Sequence, residues 1–380
     1  IDTDNNGVSG IEKSYDYELT TSNKPLKLTL DTEIQYLIRQ ELLKFQEIFN
    51  SYGSTAILMN VNSGEIFSMV SLPDFDLNKR EDISDKKFIN RSTSGVYELG
   101  SVFKTFTLAA GLQQNVIQED TLFKNLPKKI KCAGRSISEY DMDIPSSLTA
   151  EEILIRSGNI GSIKIAQKVG LENFKDFLEN LDLLNKIQFD IEEVGNPIPF
   201  KWGKCKLATS AYGHGITTTP LQLAKAYAII ANGGYKINPT LIKKEKKIKK
   251  GEQITSQENS NKINEILRKI VTSEQGTANL ANIAGYEIAG KTGTAQKSIK
   301  GKYSKKKINT FASIFPISSP KYVLIVLLDE PKLSETYIYE YNDGKKRKII
   351  GTPFNTAGWT SVEVAKNIIE KIGPILAIKY

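Results

Sequence analysis

Strand-like segments lie at both ends of this chain and helix-like segments fill the middle, so a sheet must be closed by pieces far apart in sequence. Near the amino end, Thr55 to Val61 and Glu65 to Val70 are apolar or β-branched runs joined by Asn62-Ser63-Gly64. That is the pattern of a hairpin with a glycine turn. In the last third, Tyr286 to Gln296, Asn309 to Phe315 and Lys321 to Asp329 read as strands. The longest apolar run, Tyr322-Val-Leu-Ile-Val-Leu-Leu328, has the length of a buried strand. Between the two groups, apolar spacing predicts helices starting at Ser101 and over 149–157, 161–183, 220–232 and 260–273. Ser361 to Ile372 reads as a closing helix. Lys27 to Leu30 reads as a short strand, and Asp31 is expected to cap a helix with Ile34, Leu37, Ile38, Leu42 and Leu43 on its apolar face. The pattern predicts one α/β domain with its sheet assembled from both termini.

No run of 18 or more apolar residues exists in the 380, so no transmembrane helix is expected within them. The chain opens at Ile1, inside what reads as a loop, and a leader or anchor is expected before it. Residues 1–24 are polar and read as an arm or a remnant of another domain. The net charge of +8 is concentrated at Lys243 to Lys250, Lys302 to Lys307 and Lys345 to Lys348. These read as solvated loops; the alternative is attraction to anionic headgroups or an anionic polymer. No nucleic-acid-reading motif is present. The stretch 241–260 reads as a mobile loop. Cys132 and Cys205 are either one bridge or two small core residues, and their spacing leaves both open.

The single histidine, His214, leaves a Ser-His-Asp machine one base and excludes a His-rich zinc site. Three strings offer another chemistry: Ser101-Val-Phe-Lys104, Ser157-Gly-Asn159 and Lys291-Thr-Gly-Thr294. They supply a hydroxyl nucleophile, an amine that can take its proton, a hydrogen-bonding bridge and a cationic strand edge. Those are the parts needed for acyl transfer through a serine ester with lysine as base. Ser-x-x-Lys alone is weak, since it also begins at Ser84, Ser304 and Ser318. Ser304 and Ser318 read as loop and Ser84 lies in a charged loop. Only Ser101 follows a glycine and opens an apolar helical stretch, where free N–H groups favour developing negative charge. A three-residue step puts Lys104 on the same helix face. Ser157 is read as a proton shuttle and Asn159 as an anchor for Lys104, with Gly158 taking an unusual backbone angle. The bland alternative is a helix stop signal. Lys291, Thr292 and Thr294 offer donors to a carboxylate, and the amides of Ser101 and Thr294 an oxyanion hole. Gly290 and Gly293 inside a strand imply close approach of a backbone or ligand.

With these strings in order, the chain resembles the penicillin-binding proteins and serine β-lactamases, and more closely the class B, division-type penicillin-binding proteins. The resemblance extends to Leu28-Thr-Leu-Asp31 with Gln35, Ser63-Gly-Glu-Ile66, Ser71-Leu-Pro-Asp-Phe-Asp-Leu-Asn78, Asn90-Arg91, Tyr97-Glu-Leu-Gly-Ser101, Tyr212-Gly-His-Gly215, Thr219-Pro-Leu-Gln-Leu-Ala224, Asn232-Gly-Gly234 and Gly276-Thr-Ala278. Leu99 stands where the family usually has proline, Gly158 where serine or cysteine is frequent, and Thr356-Ala-Gly-Trp-Thr360 departs from the family's usual carboxyl-end string.

The resemblance implies a penicillin-binding transpeptidase fold: a central antiparallel sheet flanked by helices, with an all-helical subdomain. Residues 1–24 would be the remnant of a pedestal domain and 25–380 the transpeptidase domain. It implies a D,D-transpeptidase that cross-links peptidoglycan stem peptides ending in D-Ala-D-Ala during septal wall synthesis and is acylated by β-lactams. Ser101, Lys104, Ser157, Asn159 and Lys291 would be catalytic. Ser101, Asn159, Thr292, Gly293 and Thr294 would bind substrate or its oxyanion, and His214 would be structural. Neither metal nor cofactor is implied. The implied partners are a membrane glycan polymerase and other division proteins, with a single anchor in the bacterial inner membrane and the catalytic domain in the periplasm. The competing readings are a D,D-carboxypeptidase or β-lactamase, and a non-catalytic β-lactam sensor or scaffold. No glutamate falls in a deacylating motif after Ser157, which argues against a β-lactamase.

Overall fold

The computed structural model describes residues 1–76, 79, 85–244, 251–299, 301–341 and 347–380. Helices α1 (Gly10–Ser14) and α2 (Asp16–Thr21) open the chain and bury none of their residues. Helix α3 (Thr32–Ile48) starts where Asp31 was expected to cap it: its carboxylate accepts the N–H groups of Glu33 and Ile34 at 3.0 and 3.1 Å. Such a cap contributes about 1 kcal/mol. Ile34, Ile38, Leu42 and Phe45 form the buried stripe. Strands β1 (Gly53–Asn60) and β2 (Ile66–Leu72) form the expected hairpin. Gln35 covers the outer edge of β2, donating to Met69 O and accepting from Ser68 Oγ and Met69 N. An edge closed this way is withdrawn from pairing with other chains. Lys27 to Leu30 is not a ladder strand: Leu28 makes one isolated bridge, to Ile242.

The chain then runs to α4 (Lys104–Gln113). Arg91 pins this approach to the sheet. Its buried guanidinium donates to Leu72 O and Lys87 O and lies 3.6 Å from Asp329. The helical subdomain follows. It carries two small ladders unseen in the sequence pattern: β3 (Leu122–Phe123), β4 (Lys129–Cys132), β5 (Arg135–Ser138) and β6 (Leu148–Thr149), where β3 pairs with β6 and β4 with β5. Helices α5 (Ala150–Ile155), α6 (Asn159–Val169) and α7 (Leu171–Asn180) come next. Gly170, at φ 83°, breaks the single helix expected over 161–183 into α6 and α7. Cys132 and Cys205 are disulfide-bonded, with Cα atoms 5.6 Å apart, tying the β4–β5 turn to α8 (Lys204–Ser210).

Helix α9 (Pro220–Ala231) is buried along its whole length and starts with a capping box between Thr219 and Gln222. Its Tyr227 hydroxyl lies 2.9 Å from both Val102 O and Thr105 Oγ1, bracing the start of α4 from below. Helix α10 (Gln257–Thr272) begins inside the stretch read as a mobile loop. Residues 251–256 are ordered too: Gln253 bridges Tyr235, and Ile254 and Thr255 are buried. Residues 245–250 of that stretch lie outside the described residues.

Strands β7 (Ala289–Ile299), β8 (Lys302–Phe315) and β9 (Tyr322–Asp329) complete one antiparallel sheet in the order β2-β1-β9-β8-β7. Every residue of β9 is buried because helices cover both faces, which is why its sequence does not alternate. The hairpin β10 (Ile338–Tyr341) with β11 (Arg347–Ile350) precedes the closing helix α11 (Ser361–Lys379), which packs on α3, β8 and β9. One lysine run, and the described end of another, are strand rather than loop. Lys302 to Lys307 lies in β8, where Lys306 pairs with Glu330 and Lys307 donates to Asn355 O. Lys348 of β11 pairs with Glu340 of β10 at 3.3 Å. Ser304 also lies in β8, its hydroxyl donating to Lys297 O, whereas Ser318 is in a loop as expected. Ser84, Leu77, Asn78, Lys345 and Lys346 lie outside the described residues. Among the described residues no helix is long and apolar enough to cross a membrane.

Candidate active site

Ser101 lies in a short 3-10 turn, Gly100–Phe103, that leads directly into α4. Gly100 has φ 63°, and a Cβ there would stand 2.9 Å from Thr294 O, so both its backbone angle and its neighbour demand glycine. This brings the turn that carries Ser101 against β7. From the other side, a Cβ on Gly293 would overlap Leu99 O, and one on Gly290 would stand 2.5 Å from Ala312 O. The expected close approach at both glycines is therefore by protein backbone.

Lys104 is 2% exposed, at the head of α4. Its Nζ donates to Ser157 O at 2.5 Å, Asn159 Oδ1 at 2.7 Å and Ser157 Oγ at 3.1 Å. No hydrogen bond joins it to Ser101 Oγ, although both lie on one face. Burial pushes Lys104 down to about 7, against the opposing influence of the Glu139 carboxylate. Lys291 on β7 is fully buried and donates to Ser157 Oγ at 2.9 Å and to Thr292 O at 3.2 Å. Burial, then the charge of Lys104, holds Lys291 well below the ordinary lysine value. One hydroxyl therefore stands between two amines that cannot both carry a proton cheaply. A hydroxyl has one proton and two lone pairs, so Ser157 can accept from Lys291 and donate to a neutral Lys104.

The unusual backbone angle is at Ser157, φ 59°, and not at Gly158, φ −66°. Helix α5 ends with Gly158 N–H bonded to Ile153 O and Ser157 N–H bonded to Leu154 O. That is a Schellman stop with serine at the left-handed position where glycine is usual. The stop-signal reading and the functional reading thus describe the same residues. An L-residue there costs about 1 kcal/mol, tolerated here for a hydroxyl that meets both lysines. Ser157→Gly and Ser157→Ala both delete that hydroxyl. The glycine variant is expected to be the more stable by about 1 kcal/mol in urea unfolding; equal stabilities would contradict the strain.

Asn159 anchors Lys104 as expected, but its amide nitrogen donates to Ser138 O at 2.9 Å. The Thr292 hydroxyl pairs with Thr277 Oγ1 at 2.7 Å, and Thr294 Oγ1 accepts the Ala357 N–H at 2.9 Å. The Thr356–Thr360 segment therefore seats on β7. His214 packs against Tyr212 and Tyr303, with ring centroids 4.9 and 5.7 Å away. Burial, then the charge of Lys104, lowers it to about 4, so it is uncharged near neutrality. Glu139, Ser138, Tyr227 and Thr277 support the site and were given no role in the sequence. Only Thr277 left a trace, within Gly276-Thr277-Ala278.

Residues 54–355 match the family described as the penicillin-binding protein transpeptidase domain. The chain belongs to that family. Among its relatives, the probable peptidoglycan D,D-transpeptidase FtsI of Caulobacter vibrioides is 30% identical over 393 residues, covering 100% of this chain and 64% of that protein. Stage V sporulation protein D of Bacillus subtilis is 30% identical, covering 87% of this chain and 53% of that one. The chain thus spans less than two thirds of the length of these two relatives. The apo transpeptidase domain of Burkholderia pseudomallei penicillin-binding protein 3 superposes with a TM-score of 0.78 at 25% identity, covering 94% of this chain and 98% of that one. Penicillin-binding protein 3 of Mycobacterium tuberculosis, solved with aztreonam, gives a TM-score of 0.83 at 24% identity, covering 100% and 87%.

Proposed function

We propose that this chain is the acyl-transfer unit of a peptidoglycan D,D-transpeptidase. The observation that carries the proposal is the buried pair Lys104 and Lys291 meeting at Ser157 Oγ, behind a serine in the 3-10 turn that leads into Lys104's helix. Ser101 Oγ attacks the carbonyl carbon of the penultimate D-alanine in a stem peptide, and its proton passes to the neutral Lys104 amine. The amides of Ser101 and Thr294 face the oxyanion. The C–N bond breaks, and the proton leaves through Ser157 to the departing D-alanine nitrogen. An amine from a second stem peptide then attacks the Ser101 ester, forming the cross-link and freeing the serine. Lys291, Thr292 and Thr294 lie along the strand edge proposed to receive the substrate carboxylate, and Gly293 lets that strand seat against Leu99 O. A β-lactam follows the first half of this path, but its leaving nitrogen stays tethered to the acyl group.

Transfer is favoured over hydrolysis by the state of Glu139. Both its carboxylate oxygens accept backbone N–H groups, at 2.6 and 2.8 Å, which supports a structural role for it over one in activating water. The family's division branch supports a septal role beside a glycan polymerase and division proteins, outside an inner-membrane anchor. Residues 1–24 are proposed as the edge of an amino-terminal domain and 25–380 as the transpeptidase domain. The test is the intact mass of the protein after incubation with benzylpenicillin, with the modified residue mapped. One adduct on Ser101 surviving for many minutes is expected; rapid release of hydrolysed penicillin would overturn transfer in favour of a β-lactamase.

A further inference from the structure

Helix α6 begins at Asn159 behind a glycine, Gly158, which has no side chain to cap the helix. The acceptor comes from another part of the chain. Glu139, 7% exposed and next after β5, accepts the Asn159 N–H on Oε2 at 2.6 Å and the Ile160 N–H on Oε1 at 2.8 Å. Beside it, Ser138 O accepts the Asn159 side-chain amide at 2.9 Å. Two successive residues of the β4–β5 hairpin thus grip Asn159 by backbone and side chain. The same Asn159 holds Lys104 through Oδ1. The hairpin is itself fixed at three places. Glu139 N–H bonds Lys128 O, Lys128 reaches Ile144 O, and the Cys132–Cys205 bridge ties the turn to α8. A charged carboxylate across two N–H groups at a helix N-terminus makes stronger bonds than a neutral cap.

We propose that Glu139 is a positioning residue for acyl transfer: its carboxylate, clamped on the first two N–H groups of α6, holds the Ser157–Asn159 loop against Lys104 and gives that amine's surroundings a fixed negative charge. The proposal rests on the reading of Lys104 as base. Among the described residues, Glu139 from the hairpin acts on Lys104, and Lys104 itself acts on Lys291 of β7 and on His214 of the loop after α8. Of these only Glu139 favours the protonated amine. Lys104 in turn lowers both Lys291 and His214, and His214, near 4, carries no charge where Lys104 titrates.

The test is the rate of β-lactam acylation from pH 5 to 9 in wild type, Glu139→Gln and Glu139→Asp, with thermal melting as the fold control. Glutamine keeps the shape and removes the charge, and its amide nitrogen opposes one N–H. The Gln variant is expected to lose about tenfold on the high-pH plateau through loop misplacement. Its acid limb should move about half to one pH unit lower, because an attractive charge on the ammonium form is gone. The Asp variant should keep the wild-type midpoint while losing part of the plateau. A Gln variant with an unmoved midpoint overturns the proposal, whether or not its plateau falls, since a plateau loss alone is what fold support would give. A flat wild-type profile would instead sink Lys104 as base and be recognised before any variant is compared.

Discussion

Replacing Ser101 with alanine is expected to abolish the covalent β-lactam adduct and reduce acyl transfer by about 10⁴-fold or more. The fold should barely notice. Ser101 is half-buried, and its hydroxyl has no hydrogen-bond partner among the described residues. The turn is held instead by Gly100 against β7 and by Tyr227 against Val102 O. The urea midpoint should therefore stay within about 0.5 kcal/mol of wild type. A persisting adduct, mapped to another serine, would remove Ser101 as nucleophile. An alanine variant that failed to fold would show that the hydroxyl has a structural partner in solution.

The second large effect belongs to Lys104. Lys104→Met keeps the volume and removes the amine, and acylation should fall about 10³- to 10⁴-fold, the scale of a lost general base. Lys104→Arg should not rescue it, because a guanidinium keeps its proton at any working pH. The methionine variant should also lose about 1–3 kcal/mol of stability, since Asn159 Oδ1 and Ser157 O would lose their buried donor. Adding Ser157→Ala to Lys104→Met should cost little more rate, because groups acting as one relay are not additive. The wild type should show an acid limb. With Lys104 near 7, the neutral base falls tenfold per pH unit below that, so acylation at pH 5 should be about one hundredth of its plateau. Histidine is the usual source of such a limb, but His214, the only one in the chain, is held near 4. His214→Gln should leave the midpoint near 7; a limb that vanished with it would assign the titration to His214.

Elements with a strong local signal were legible in the sequence. Asp31 capped α3, Thr219-Pro220 opened α9, and the Tyr322–Leu328 run became the central strand. Charged strands were the misses. Lys302 to Lys307 has the composition of a solvated loop, yet it pairs along β7 and sends lysines to Glu330 and Asn355. Composition reports hydration, whereas an exposed end of a long hairpin is set by register. Glycine tolerates the unusual backbone angle best, so local preference points to Gly158. The chain puts it on Ser157, whose hydroxyl meets both Lys104 and Lys291.

By itself the sequence determined which groups are available for the proposed chemistry: a serine one helical turn from a lysine, a unique Ser-Gly-Asn, a unique Lys-Thr-Gly-Thr, and a single histidine. Those are facts of residue identity and local spacing. What each group does with its proton was decided only by the tertiary structure. Lys104 falls to about 7 because folding buries it, and Lys291 is lowered by burial and by facing Lys104 across Ser157. Glu139 enters because a disulfide-tied hairpin docks it on α6. Burial and approach between distant segments set these energies, and neither is written in any local string.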